Sequence, residues 1–292
     1  MPGDAPIGGA CDCHVHVAGP IGRYPQIAAR SYTAGLATLE SLQTIAEPLG
    51  VSRFVIVQPS FYGTDNGCLL ETLDALGERG RGVAAVEPAA ASPSLLREYA
   101  RRGVRGLRVN LYSAAGEYPP HYLDKILETT ISILPEESWH VEIIASLATI
   151  AAVSGTIKRA RARIVIDHYG LPGEWHPESR EGRCLLDLVA APQVWVKLSA
   201  PYRTLGDPAA TAPPSQWLEA LVHAVPDRCV WGSDWPHTPT RDDRRGASAV
   251  APYRKIEYAR LLRDFCGALR DASLAKRILI ANPERLYGFP AQ

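Results

Sequence analysis

The chain carries no net charge, and this absence narrows its possible partners. Its 292 residues include 31 Lys and Arg and 31 Asp and Glu, which cancel. Proteins that attract nucleic acid or an anionic membrane over long distances carry an excess of basic residues. We therefore expect neither partner, and an anionic small molecule would have to be bound by local arginines.

Several segment types are also missing. No Cys-x-x-Cys occurs, and a chain of this length does not need a disulfide framework. The N-terminal residues show no basic region before an apolar core, and no run reaches about 18 apolar residues. We expect a cytoplasmic protein with reduced cysteines and with neither a signal peptide nor a transmembrane helix. The cysteines are Cys11, Cys13, Cys68, Cys184, Cys229 and Cys266.

Short apolar runs recur at fairly even intervals and predict eight strands. The runs Arg53–Gln58 and Arg163–His168 are nearly continuous and β-branched, as strands buried on both faces of a parallel sheet are. Segments with helical periodicity lie between the strands, for example Leu36–Gly50 and Pro93–Gly103. The predicted strands cover residues 11–17, 53–58, 83–87, 105–110, 139–144, 163–168, 194–199 and 229–234.

This alternation predicts a (β/α)8 TIM barrel that forms a single domain over residues 1–292. A doubly wound open sheet is the alternative, but no Gly-x-Gly-x-x-Gly follows the first strand to support a dinucleotide site. Two polar loops, residues 170–182 and 238–252, follow the sixth and eighth strands. In a barrel both lie at the C-terminal ends of the strands, where active sites are built.

The first strand contains the most informative pair of residues, His14 and His16. Side chains two residues apart on a strand point to the same face, so the imidazoles should lie side by side. By the same alternation Val15, Cys11 and Cys13 should occupy the opposite face. Adjacent imidazoles can ligate a metal ion or donate hydrogen bonds to developing negative charge. Two satisfied core histidines are the alternative.

Polar and titratable residues concentrate at the ends of six predicted strands. A barrel built for stability alone has no reason for this bias, so it predicts a binding or catalytic site there. His140 and Asp167 could instead be satisfied within the structure. Neither His140 nor Glu142 is clearly placed as the further ligand that a second metal ion would need. The candidate site residues are His14, His16, Ser60, Tyr62, Arg108, Asn110, His168, Tyr169, Arg203, Asp234 and His237.

Four of these residues carry a resemblance to the amidohydrolase superfamily. They are the pair His14 and His16 on the first strand, His168 on the sixth, and Asp234 within Trp-Gly-Ser-Asp-Trp-Pro-His. The tail Asn282–Phe289 is also typical of this superfamily. The likeness spans essentially the whole chain and implies a distorted (β/α)8 barrel.

Other stretches resemble one branch more closely, the sugar- and muconate-lactone hydrolases that include 2-pyrone-4,6-dicarboxylate lactonase. Among them are Gln58–Asn66, Gly106–Asn110 and Asp167–Gly170. The branch implies hydrolysis of a cyclic ester. Leu171 departs from the pyrone lactonase pattern, which has an arginine there for a second carboxylate, so a monocarboxylated, sulfonated or sugar-derived lactone fits at least as well. Arginines on or beside the loops could replace that group, namely Arg180, Arg183, Arg241, Arg244 and Arg245.

The resemblance also implies a role for each candidate residue. Asp234 becomes the general base that activates water, and His14, His16 and His168 polarise the lactone carbonyl. Such a reaction needs a base within hydrogen-bond reach of water and donors where the oxyanion forms. Arg108 and Arg203 would bind substrate carboxylates, and the pocket would be completed by Ser60, Tyr62, Asn110, Tyr169 and His237.

A metal ion is the main open question. His14, His16, His168 and Asp234 could ligate one Zn²⁺ and leave a position for water. A binuclear site is not expected, because Arg108 stands where superfamily members often have a bridging carbamylated lysine. Members of the lactonase branch commonly work without metal, so we expect no required cofactor, with one zinc ion as the alternative.

Two rival functions share parts of this pattern. A metal-dependent, non-oxidative decarboxylase of an aromatic acid shares the barrel, the histidine pair and the aspartate on the last strand. A non-catalytic barrel that binds sugar acids is the other, and the intact Asp234 and histidines argue against it. We expect a small anionic lactone as the partner, and a monomer or a small homo-oligomer.

Overall fold

Eight parallel strands form the central sheet of the chain in a computed structural model, which describes residues 8–114, 120–135, 138–204, 206–239 and 246–291. Each barrel strand overlaps a predicted one, and the (β/α)8 architecture is confirmed. The third barrel strand begins at Gly80 rather than at residue 83. In spatial order the strands are β1 (Ala10–Val15), β3 (Val51–Val57), β4 (Gly80–Ala84), β5 (Val104–Asn110), β6 (His140–Ile144), β7 (Arg163–Ile166), β8 (Val194–Ser199) and β9 (Cys229–Gly232).

Helices cover the outside of the barrel, and several begin at a side chain that caps the first turn. Ser92 Oγ, for example, accepts a hydrogen bond from the amide of Leu95. Within the part of the chain that the structure describes, no helix is long and apolar enough to cross a membrane. The helices are α1 (Leu39–Ala46), α2 (Gly67–Leu76), α3 (Pro93–Arg101), α4 (Leu111–Ala114), α5 (Pro120–Ser132), α6 (Leu147–Ala152), α7 (Ser154–Arg159), α8 (Arg180–Val189), α9 (Pro201–Thr204), α10 (Ser215–Ala224), α11 (Tyr258–Leu269), α12 (Ala272–Lys276) and α13 (Asn282–Tyr287).

A small second sheet lies outside the predicted set. Strands β2 (Tyr32–Ala34) and β10 (Gly246–Ala251) pair in parallel, and β10 falls within the predicted loop 238–252. These strands are short or poor in large apolar residues, so their sequence carries little strand signal.

Side chains on the barrel strands alternate between two apolar cores. On β3, Phe54 and Ile56 join the core between strands and helices, whereas Val55 and Val57 join the core inside the barrel. This double burial explains the continuous apolar run in the sequence. The C-terminal segment contributes Tyr287 to the inner core, and Arg81 holds this segment by donating hydrogen bonds to the carbonyls of Tyr287 and Gly288.

A β-bulge in β1 alters which way the first strand faces. Asp12 pairs with Phe54 and Val15 pairs with Ile56, so β1 has an extra residue over this interval. In consequence Cys13 and His14 both face the barrel interior, where Cys13 packs in the inner core. The prediction that Cys11 and Cys13 lie opposite the histidines is therefore wrong, because strict alternation fails across a bulge.

The barrel closes where β9 meets β1. The amide of Ser233 donates to Asp12 Oδ1 at 2.9 Å, and the amide of Asp234 donates to the carbonyl of His14 at 2.8 Å. Tyr258 donates its hydroxyl to Asp12 Oδ2 at 2.9 Å. Asp12 therefore ties the last strand, the first strand and helix α11 together. We call this junction the seam.

The seam requires glycine at position 232. A Cβ there would lie 2.6 Å from the Cβ of His14 and 2.9 Å from its amide nitrogen. We expect Gly232→Ala to lower the free energy of unfolding by about 1–3 kcal/mol, because the methyl group would push the strands apart. Urea denaturation followed by circular dichroism measures the loss.

A matched control lies in helix α11. A Cβ on Gly267 would meet no described atom within 4 Å. Gly267→Ala should therefore leave stability unchanged or raise it by up to about 1 kcal/mol, since alanine favours helix over glycine. Equal stability of the two variants would contradict the close packing of the seam.

Candidate active site

A cavity opens at the C-terminal ends of the barrel strands. Residues from separate strands meet there because the carboxyl ends of all strands share one face of the barrel. Ser31 and Tyr32, beside and within β2, and Arg254, beyond β10, also line it. The predicted site residues on its wall are His16, Ser60, Arg108, Asn110, His168, Arg203 and Asp234.

The remaining predicted residues lie behind the wall. Tyr62 accepts a hydrogen bond from the amide of Gly19 at 3.1 Å, and Tyr169, which is 1% exposed, packs in the outer core. His237 Nδ1 lies 3.1 Å from the hydroxyl of Tyr202. Tyr62, Tyr169 and His237 therefore do not line the cavity as predicted. These residues lie at or just beyond strand ends in the sequence, but their side chains contact other protein groups instead of the cavity.

Asp234 is held by one of its two carboxylate oxygens. Its Oδ2 accepts hydrogen bonds from the Tyr202 hydroxyl at 2.7 Å and from Arg203 Nε at 2.6 Å. Its Oδ1 has no hydrogen-bond partner among the described residues, and lies 3.4 Å from His16 Nε2 and 3.7 Å from His14 Nε2. The carboxylate is thus oriented while one oxygen stays available.

Electrostatics fix the charge states around Asp234. Burial would raise the pKa of Asp234, but Arg203, followed by the neighbouring histidines, holds this pKa well below its usual 3.8. Burial lowers the pKa of His168 to about 4, and burial and Lys197 lower that of His14 well below its usual value. At neutral pH the site therefore combines an ionised carboxylate with neutral imidazoles at His14 and His168.

The two histidines on the wall have different partners. His16 Nδ1 donates to the carbonyl of Val57 at 2.8 Å, because a carbonyl can only accept. His168 Nδ1 lies 2.8 Å from Ser199 Oγ. The Nε2 atom of His16 is consequently the one that faces Asp234.

The backbone is strained where the site residues emerge. His168 (φ 52°) follows β7, and Asp234 (φ 61°) follows β9, so both occupy the left-handed region that side chains other than glycine rarely adopt. Leu171, on the cavity wall, shares this conformation at φ 44°. Such strain, at about 1–3 kcal/mol for each residue, persists where surrounding contacts over-determine the chain.

Cationic side chains dominate the cavity wall. Among the described residues Arg108, Arg203 and Arg254 line it against the single carboxylate of Asp234. Arg203 is engaged with Asp234 and with Thr238 Oγ1, so its geometry differs from the open carboxylate-binding group that was predicted. This balance of charge favours an anionic ligand.

Arg108 is placed to receive such an anion. It is half-buried, and Nη1 donates to the carbonyl of Gln58 at 2.7 Å. Its Nε has no hydrogen-bond partner in the described part of the chain. Of the loop arginines, Arg180 and Arg183 are exposed and away from the cavity. The others, Arg241, Arg244 and Arg245, lie outside the described residues.

A layer of buried charges lies below the cavity, inside the barrel. Lys197 Nζ contacts Glu142 Oε2, lies 3.1 Å from His14 Nδ1 and lies 3.7 Å from Asp167 Oδ1. His140 Nε2 lies 3.8 Å from Glu142 Oε2. All of these side chains are buried.

Sequence reasoning assigned no role to Lys197 or Tyr202. A signal for Lys197 did exist, because it shares a strand face with Trp195 and Ser199 in an otherwise apolar run. A lysine at such a position must be buried and therefore paired. Nothing comparable distinguishes Tyr202, whose contact with Asp234 depends on the turn after β8.

The donor atoms meet the spacing of a metal site only in part. Within the described ranges, two overlapping groups have ligand atoms within 4.8 Å of one another, and His14 belongs to both. One adds His16 and Asp234, and the other adds Asp167 and His168, so the predicted four-ligand set is not a single group. Arg203 already pairs with Asp234, and Lys197 lies 3.1 Å from His14 Nδ1, so a metal ion bound here would be repelled by two fixed positive charges. The residues therefore fit a zinc ion poorly.

Known proteins resemble this chain along nearly its full length. It is 29% identical over 290 residues to a 2-pyrone-4,6-dicarboxylate hydrolase from Comamonas testosteroni, covering 96% of this chain and 90% of that protein. It is 28% identical over 286 residues to a 4-sulfomuconolactone hydrolase from Hydrogenophaga intermedia, covering 96% and 89%. A solved structure from Agrobacterium tumefaciens shares the fold with a TM-score of 0.81 at 22% identity, covering 99% of each chain.

A family model described as amidohydrolase matches residues 11–289. The match includes His14 on β1, His16 directly after it and the aspartate after β9, which carried the resemblance in the sequence. The predicted superfamily is thereby confirmed, and the relatives carry the names of lactone hydrolases as the predicted branch requires. The chain belongs to the amidohydrolase family.

Proposed function

We propose that this protein hydrolyses a carboxylated lactone, with Asp234 as the general base. The observation that supports this most is that the two carboxylate oxygens of Asp234 have different surroundings. Oδ2 is held by Tyr202 and Arg203, whereas Oδ1 lacks a hydrogen-bond partner in the described structure. An oriented, ionised carboxylate with a spare oxygen on a cavity wall can accept a proton from water.

The histidines supply the donors for the carbonyl oxygen, His14 through Nε2–H. His16 donates through Nε2 only when its ring carries both protons, because its Nδ1 proton is already donated to the carbonyl of Val57. His16 and His168 lie on the wall and His14 directly behind it, with Nε2 of His14 and His16 within 3.7 Å of Asp234 Oδ1. A carbonyl bound next to that oxygen comes within reach of these ring nitrogens. Removing one such donor costs about 3–4 kcal/mol of transition-state stabilisation.

The proposed reaction has two steps, attack of water and collapse of the oxyanion. Water oxygen bonds to the lactone carbonyl carbon while Asp234 takes the water proton, and the carbonyl oxygen becomes an oxyanion. The oxyanion then collapses, the ring C–O bond breaks, and the leaving oxygen takes the proton back from Asp234. The product is an open-chain acid, and the carboxylate is regenerated.

The wall of the cavity indicates the class of lactone. Arg108 offers a guanidinium group to a carboxylate or sulfonate, and such pairing can be bidentate. Leu171 and Ile144 contribute apolar surface to the same wall. A muconate-, pyrone- or sugar-acid-derived lactone with one anionic group near Arg108 matches this surface, and the names of the curated relatives support an anionic lactone.

A metal-dependent decarboxylase of an aromatic acid is the less supported alternative. It would need a metal ion among His14, His16, His168 and Asp234. Arg203 compensates the charge of Asp234 and Lys197 lies against His14, and a lactonase without a required metal makes direct use of that arrangement.

A substrate panel separates these functions. We expect turnover of a carboxylated or sulfonated lactone, followed by ultraviolet absorbance or pH change, with no release of carbon dioxide. Incubation with a chelator such as dipicolinic acid should change kcat/KM by less than about twofold. Elemental analysis accompanies the assay. One bound zinc per chain whose removal abolishes turnover would refute metal independence.

The role of Asp234 is tested by Asp234→Asn. This variant should fold and lose at least about a thousandfold in kcat, because the amide cannot accept the proton of water. Steady-state kinetics on the best lactone of the panel, with circular dichroism, measure the two effects.

Asp227→Asn is the matched control for that variant. Asp227 lies just before the other end of the same strand and pairs with Arg277 at the surface. This control should retain full activity. A fully active Asp234→Asn enzyme would contradict the proposed role of Asp234 as general base.

The pH profile tests the link between Arg203 and Asp234. Because the pKa of Asp234 lies below 3.8 and that of His168 is about 4, kcat/KM should be flat on the acid side down to about pH 5. Arg203→Met removes the cation that keeps the pKa of Asp234 low, so its acid limb should move to higher pH. Arg203→Lys keeps the charge and should shift the limb less. Identical limbs in all three enzymes would contradict this coupling.

A further inference from the structure

Lys197 lies inside the barrel, one layer below the cavity, and its side chain is fully buried. The cavity wall, as the structure describes it, does not include Lys197. Its ammonium group meets Glu142 Oε2 on β6, Asp167 Oδ1 after β7 and His14 Nδ1 on β1. A lysine so placed acts on the reaction only through the groups that it contacts.

The contact between Lys197 and His14 bears on which ring nitrogen of His14 carries the proton. An ammonium group has three N–H donors and no lone pair, so a ring nitrogen that faces it must accept. His14 Nδ1, at 3.1 Å from Lys197 Nζ, is therefore the acceptor, and the ring proton resides on Nε2. Asp167 Oδ1, at 3.3 Å from the same Nδ1, favours the opposite tautomer. Glu142 Oε1, at 3.6 Å, favours that tautomer as well. Of these three neighbours of Nδ1 the lysine is the nearest.

We propose that Lys197 is a positioning residue that fixes His14 as the tautomer protonated on Nε2. This tautomer directs an N–H group toward Asp234 Oδ1, 3.7 Å away, and toward the reacting groups beside it. In the other tautomer a lone pair would face the carboxylate and repel it. The proposal deepens the proposed function, and its kinetic test rests on that function.

The surrounding charges support an ammonium group at this position. Burial and Asp167 would raise the pKa of Glu142, but Lys197, His140 and His14 bring it below its usual 4.5. Lys197 Nζ lies against carboxylate oxygens of both Glu142 and Asp167, and these oxygens can only accept hydrogen bonds, so Nζ directs N–H groups at its neighbours.

His16, directly after the end of β1, has the opposite arrangement. The carbonyl of Val57 requires a proton on its Nδ1, at 2.8 Å. In their neutral forms the two histidines thus have opposite tautomers, each set by a different partner. The protonated Nε2 of His14 has no lone pair for a metal ion, which accords with a reaction that needs none.

Nuclear magnetic resonance reads the tautomer directly. The protein is labelled with ¹⁵N-histidine, long-range ¹H–¹⁵N correlations are recorded at neutral pH, and the His14→Gln spectrum identifies the His14 signals. We expect the Nε2–H tautomer in the wild type. Lys197→Met removes the donor, so His14 should change to Nδ1–H and donate to Asp167. Glu142→Gln keeps the lysine and should keep the wild-type tautomer.

Folding of the variants is controlled separately. Lys197→Met leaves two buried carboxylates without their cation, so the double variant Lys197→Met/Glu142→Gln removes one charge of each sign. Circular dichroism reports whether each folds. Where the tautomer changes, kcat should fall about 10- to 100-fold while KM stays within about threefold, because Lys197 does not touch the substrate.

The possible results separate the two proposals. A wild-type His14 protonated on Nδ1, or an Nε2–H tautomer that survives in both methionine variants, overturns the role of Lys197. Absence of lactone turnover in the wild type, with the tautomers as expected, overturns the proposed function and leaves the positioning role standing.

Discussion

The seam between β1 and β9 is the constraint on which the rest of the site depends. It joins Asp12 to Ser233, residues separated by 221 positions, through a backbone-to-carboxylate hydrogen bond. The same junction places His14 against Asp234, because the amide of Asp234 donates to the carbonyl of His14. Gly232 lets the strands approach this closely. The contacts that close the barrel therefore also bring His14 and Asp234 together.

Burial of charge is the second principle of this molecule. Ions inside a barrel are costly unless each has a partner, and removing one partner of a buried pair costs about 3–5 kcal/mol. Arg203 pairs with Asp234 at the cavity wall, and Lys197 pairs with Glu142 one layer lower. These pairs hold Asp234 ionised and orient His14. The unfavourable burial of their charges therefore results in a pre-organised site.

Much of the site was predictable because strand ends converge on one face of a barrel. His16, Arg108, His168 and Asp234 all reach the cavity as their positions in the sequence indicate. The prediction failed to place Tyr62 and Tyr169, since a strand-end position does not specify whether a side chain enters the cavity or the core behind it. It also missed the reversal of Cys13, because a single inserted residue in β1 breaks the alternation.

The sequence by itself determined the eight strand–helix units, the direction of most strand side chains and the set of polar residues at the strand ends. These follow from local periodicity, which is a property of consecutive residues. Only the tertiary structure decided that Arg203 donates a hydrogen bond to Asp234 and that Leu171 lines the cavity. It also decided that the amino group of Lys197 lies against His14. Those contacts join strands distant in the chain, and their hydrogen bonds depend on separations of a few tenths of an ångström that only the closed barrel sets.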